Sequence, residues 1–75
     1  MINPLLEAFL DADSISDKID RLYDMRNIAD DEMLDFVAAS LDMHPTGDAL
    51  EKYDEIMKAL KAREKFEGNN RLRRQ

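Results

Sequence analysis

The chain has 75 residues, 44% hydrophobic and 37% charged, and its 17 acidic and 11 basic side chains leave a net charge of −6. That is the length of one domain, small enough to bury only about 60% of the surface its unfolded chain exposes. The absence of cysteine excludes disulfides, thiolate zinc sites and a thiol nucleophile.

Two glycines, two prolines and an abundance of Leu, Ala, Met, Glu, Asp, Lys and Arg predict an all-α protein. Five methionines without tryptophan suggest an adaptable core. The opening "MINPLLEAFLDADS" has no basic leader, and Glu7 and Asp11 interrupt its apolar residues. No run approaches the roughly 20 apolar residues of a membrane helix. A soluble cytoplasmic chain that makes no use of membranes is expected.

In chain order, Asn3 is placed to cap a first helix over about 4–12, with Pro4 at its first position and Leu5, Leu6 and Phe9 on one face. "DADSISDKID", residues 11–20, opens with the aspartate spacing of a calcium loop. Counting from Asp11, however, position 5 is Ile15, position 6 is Ser16 and position 12 is Leu22, where such a loop needs an oxygen ligand, glycine and glutamate. The stretch reads better as a joint. Asp13 or Ser14 caps a second helix over about 15–26, and Asp17 favours its positive end.

Ile15, Ile19, Leu22 and Tyr23 form the apolar stripe of that helix, and Asp17, Asp20 and Asp24 line its opposite face. Asp30, followed by Asp31 and Glu32, starts a third helix over about 30–43. Its expected buried stripe is Met33, Leu34, Phe36, Val37 and Leu41, flanked by Ala38 and Ala39. "HPTGD" ends it, because His44 precedes proline. Thr46 is the expected cap of a fourth helix over about 47–67, with Pro45 and Leu50 stapling its entry and Leu50, Tyr53, Ile56, Met57 and Leu60 facing the core. Gly68 reads as its stop, leaving residues 68–75 as a flexible basic tail. The short connections predict one domain over residues 1–67, a compact antiparallel bundle of three or four helices.

Chemistry is sparse. His44 is the only histidine; Asp42 and Asp48 flank it, but without a second histidine they make a poor metal site. Serines 14, 16 and 40 lack an activating context, and no glycine-rich phosphate loop is present. The expectation is a protein that is not an enzyme and uses no cofactor or metal.

Charge carries more information. Through Met57, 15 acidic and four basic residues leave −11; from Lys58 onward, seven basic and two acidic residues leave +5. An acidic body with a basic C-terminal arm suits a protein-binding module whose acidic faces, Asp17/Asp20/Asp24 and Asp31/Asp35/Asp42, meet a basic partner. Such faces could also imitate a nucleic-acid backbone and occupy a nucleic-acid-binding protein. The alternative is a weak nucleic-acid accessory protein that holds phosphates through Lys58, Lys61, Arg63, Lys65, Arg71, Arg73 and Arg74. Helices two and three could pass for a helix-turn-helix, but the candidate recognition helix begins "DDEML" and would meet phosphates with carboxylates. A monomer and a homodimer are both compatible with the sequence.

Overall fold

The computed structural model describes residues 3–73, with side chains for residues 3–66. Four helices follow one another: α1 (Pro4–Asp11), α2 (Ile15–Asp24), α3 (Asp31–Ser40) and α4 (Ala49–Arg73). The molecule is an all-α bundle with no strand among the described residues. Its core gathers Leu6 and Phe9 of α1, Leu22 and Met25, then Leu34, Val37, Ala38 and Leu41, and Ile56 and Leu60 of α4. In each helix the inward residues follow the 3–4 spacing that aligns side chains on one face.

The helix starts follow from side-chain chemistry. Asn3 Oδ1 accepts from Leu5 N at 2.8 Å, Ser14 Oγ from Asp17 N at 3.0 Å, and Asp30 Oδ1 from Met33 N at 2.9 Å. Each bond satisfies one amide that its helix cannot. The fourth cap corrects the sequence reading. Asp48, not Thr46, accepts from Glu51 N at 2.9 Å, so α4 begins at Ala49 and not at Gly47. Gly47 stands outside the helix with φ +99°, a conformation that glycine adopts without strain.

At the end of α3, Met43 N bonds to Ala38 O and Asp42 N to Ala39 O, at 2.9 and 3.1 Å. This is a Schellman closure. Its left-handed position, usually glycine, is filled by Asp42 at φ 57°. A non-glycine residue there carries strain, and a carboxylate at a helix C-terminus opposes the dipole. Asp42→Gly is therefore expected to stabilise the fold by about 1 kcal/mol, raising Tm by about 4–8 °C in a thermal melt.

The packing order was not legible in the sequence. α1 lies against α2 and α3, and α4 against α2 and α3; α2 and α3, although consecutive, do not lie against each other. The helix-turn-helix resemblance fails on this geometry as well as on charge, because that motif packs its two helices together. α2 runs antiparallel to α4: Ile15, at its start, lies by Ala62, Arg63 and Phe66, and Arg26, just past its end, lies by Ala49 and Leu50. α3 instead runs alongside α4 in the same direction. Its first turns meet Lys52, and its terminal Leu41 carbonyl accepts from Arg63 Nη2 at 3.2 Å. Residues 41–48 are numerous enough to carry the chain back along a ten-residue helix, about 15 Å, so antiparallel order is not forced on this pair.

Three residues expected in the core lie outside it. Phe36 is 56% exposed and Tyr23 53%; Phe36 stands about 200° round α3 from Leu34, so a face that buries one must expose the other. Leu50 is 70% exposed. The buried stripe of α4 is centred on Ile56 and Leu60, flanked by Ala49, Tyr53 and Met57, and the shorter start leaves Leu50 on its edge. Conversely Met25, in the turn after α2, is fully buried.

α4 continues through Gly68, where the sequence predicts a stop, to Arg73. A single glycine costs about 1 kcal/mol in a helix, and the strong helix formers of "EKYDEIMKALKAREKFE" before it can carry the geometry through. The backbone of the expected 68–75 tail is thus helical as far as Arg73. Its side chains, and all of residues 74 and 75, lie outside the described residues.

Candidate functional site

The DADS joint resolves as capping. Residues 12–14 link α1 to α2, and Lys18 closes the junction from the other side. Its Nζ donates to Phe9 O at 3.2 Å and lies 4.9 Å from the centre of the Phe9 ring. The ammonium thereby joins Ala12 N, which donates to the same carbonyl at 3.2 Å, at the C-terminal end of α1, and it faces the ring's negative surface. Among the described residues, no three His, Cys, Asp or Glu side chains converge where they could hold a cation. His44 is exposed in the α3–α4 connection. Ser40 donates its hydroxyl to Val37 O at 2.6 Å within its own helix.

The two acidic faces have different fates. Asp17, Asp20 and Asp24 fall on the side of α2 opposite the buried Leu22. Among the described residues only Arg21 stands beside them, 3.8 Å from Asp17 and 3.8 Å from Asp24. The result is a continuous stripe of three carboxylates with one guanidinium at its flank. At such exposure each ion pair is worth at most a few tenths of a kcal/mol, so this stripe contributes little to the fold.

The α3 row is spent on architecture. Lys52 Nζ, on α4, lies 3.0 Å from Asp35 and 3.7 Å from Asp31. Its side chain is only 13% exposed although both carboxylates are open to solvent. The hydrogen bond to Asp35 chiefly holds the Lys52 pKa above its ordinary value; desolvation opposes it, and the charges of Asp35 and Asp31 add to it. The ammonium is therefore charged throughout the neutral range and ties α4 to the start of α3. Asp42 does not join this row: it sits beyond the helix end in the left-handed turn. The expected Asp31/Asp35/Asp42 face is thus divided between a bridge and a cap.

The basic positions divide as well. Lys58, Lys61 and Lys65 are exposed on one side of α4 at 3–4 spacing. Arg63 points elsewhere, closing the end of α3 through Leu41 O. The side chains of Arg71, Arg73 and Arg74 lie outside the described residues.

Two features escaped the sequence reading. The Arg26 guanidinium stacks 3.8 Å from the Tyr23 ring centre and donates to Tyr23 O at 2.9 Å. Beside it, Arg26, Asn27, Ala29, Ala49, Leu50, Tyr53 and Asp54 line an open groove of about 450 Å³. Burial pushes the Tyr53 phenol above its ordinary pKa, with Arg26 opposing in part. A second open groove, about 390 Å³, lies between Ile15 and the α4 residues Ala62, Arg63 and Phe66. The missed signal was the position of Tyr23 on α2 and of Leu50 and Phe66 on α4, large apolar residues that fall off the buried faces of their helices.

No helix among the described residues is long and apolar enough to cross a membrane. Comparison of the chain with protein-family models, with curated proteins and with solved structures found no match in any of the three.

Proposed function

We propose that the chain is a small, non-enzymatic protein-binding module of the cytoplasm, a regulator, adaptor or inhibitor that meets a basic surface on a larger partner through the Asp17/Asp20/Asp24 face of α2. One observation carries this reading. All four cations of the acidic body are engaged within the chain: Lys18 with Phe9, Arg21 with Asp17 and Asp24, Arg26 with Tyr23, and Lys52 with Asp31 and Asp35. Among the described residues, most of the 15 carboxylates through Met57 have no cation beside them, and the α2 stripe, which meets only Arg21 of its own helix, is the acidic row that ties no two helices together.

Such a field mainly accelerates encounter and selects partners. Converting Asp17, Asp20 and Asp24 together to lysine should slow association with the partner roughly tenfold or more while leaving the thermal melt nearly unchanged. Lysine at Asp31 and Asp35 should instead lower stability by breaking the Lys52 bridge. Binding kinetics and melts of the two variants, side by side, check the assignment; equal association rates for the parent and the α2 variant would remove it.

The second reading, phosphate binding by the C-terminal arm, is favoured by the exposed alignment of Lys58, Lys61 and Lys65. Three such contacts give weak binding that falls steeply with salt. Arg63, held by Leu41 O, adds less to that surface than its charge suggests.

A further inference from the structure

Leu50 lines the open groove of about 450 Å³ between the turn after α2 and the start of α4, with Ala49 and Tyr53 beside it and Arg26, Asn27 and Ala29 across from it. Ile28 stands between two of these residues in the chain, and the Tyr23 ring carries the Arg26 guanidinium, 3.8 Å away. Leu50, Tyr23 and Ile28 are three of the six large apolar residues that lie exposed among the described residues. Single exposed apolar residues are ordinary, but several around a concave floor mark a place where another molecule docks.

Charge decides what kind of segment can enter. Asp54 lines the groove, and the immediate chain neighbours of the lining residues include Asp30, Asp48, Glu51 and Glu55. The two cations in the same set are both engaged. Arg26 stacks on Tyr23 and donates to its carbonyl, and Lys52 is turned to Asp31 and Asp35. Counted in the same way, the groove by Phe66 has three cations, Lys61, Arg63 and Lys65, against two carboxylates, Glu64 and Glu67. The rim beside Leu50 is therefore negative and suits a basic segment; the rim beside Phe66 does not.

We propose that the groove beside Leu50 and Tyr53 receives a large apolar side chain of the partner protein, carried on a helical segment between lysine or arginine residues. This deepens the acidic-face reading and rests on it for the partner's basic character. Asp24, the last of the α2 stripe, is the chain neighbour of Tyr23, so stripe and groove adjoin. A basic segment over the groove sets its cations against Asp54 and Asp24, while its apolar side chain displaces water from Ala49, Leu50 and Tyr53. Charge then governs how fast the segment arrives, and the buried anchor how slowly it leaves.

The chain carries its own reporter for this site. Its two tyrosines, Tyr23 and Tyr53, both stand at the groove and it has no tryptophan, so tyrosine emission reads occupancy there. The probe is a synthetic helical peptide with leucine on one face and lysine on the other, free of aromatic residues, added to the full chain up to about 1 mM. A saturable change in emission is expected with this Leu/Lys peptide, and none with a Leu/Glu or a Gln/Lys peptide of the same pattern. Leu50→Ser should weaken the Leu/Lys peptide roughly tenfold or more, through faster dissociation, with an unchanged melt because Leu50 is outside the core. Phe66→Ser, at the other groove, should bind as the parent does. Lysine at Asp17, Asp20 and Asp24 should slow association of the same peptide while leaving the emission change at saturation. No emission change with the Leu/Lys peptide, equal affinity for Leu50→Ser and the parent, or an equal response to the Leu/Glu peptide would overturn the groove proposal. The acidic-face reading falls on a different result, an association rate that the α2 lysines leave unchanged, so the two failures are told apart.

Discussion

Phe9→Ala is expected to cost about 3–5 kcal/mol, read as a lower denaturation midpoint in urea. The ring is fully buried and contributes the largest side chain in the core. A chain of 75 residues has roughly 4–11 kcal/mol of total stability, so this one truncation removes a large part of it and could leave the chain mostly unfolded at 37 °C. Packing loss accounts for most of the cost, because the cavity lies where α1 meets its neighbours. The rest is the surface that Lys18 loses, 4.9 Å from the ring centre. Phe36→Ala provides the contrast, since Phe36 points outward and its removal should shift stability by no more than about 0.5 kcal/mol.

Met25→Ala is expected to cost about 2–5 kcal/mol, whereas Tyr23→Ala should cost under about 1 kcal/mol, chiefly the Arg26 stack. The pair reverses what periodicity alone suggests. Helical spacing puts Tyr23 on the stripe with Ile15, Ile19 and Leu22, but the helix ends at Asp24 and the chain turns. Ile28 N and Ala29 N both bond to Met25 O, at 3.0 and 2.8 Å, and that turn directs Met25 into the core. Urea titrations of the two variants against the parent measure the difference directly.

What could be read from the sequence was what local chemistry decides. Asn3, Ser14 and Asp30 cap their helices because a short oxygen-bearing side chain precedes each apolar run, and all four helices appear close to where their spacing puts them. Two other properties depend on the whole molecule. Which 120° of a helix is buried depends on where its neighbours stand, so Leu50 and Phe36 were misplaced. Neighbour order depends on connection paths, so the separation of α2 from α3 and the shared direction of α3 and α4 left no local mark. The acidic rows were visible as composition; their division between a free stripe and a bridge was not, because Lys52 lies 17 residues from Asp35 in sequence. Charge bridges of that kind become legible only once the helices are placed.

The central claim, that this is a protein-binding module acting through acidic charge, is tested most directly by affinity capture from nuclease-treated lysate of the source cells, with the parent and the Asp17/Asp20/Asp24 lysine variant as paired baits and washes at low and high salt. The account predicts one protein retained at fixed stoichiometry by the parent, released at high salt and not retained by the variant. Equal retention by both baits, or recovery of nucleic acid alone from an untreated control and nothing after nuclease, would contradict it.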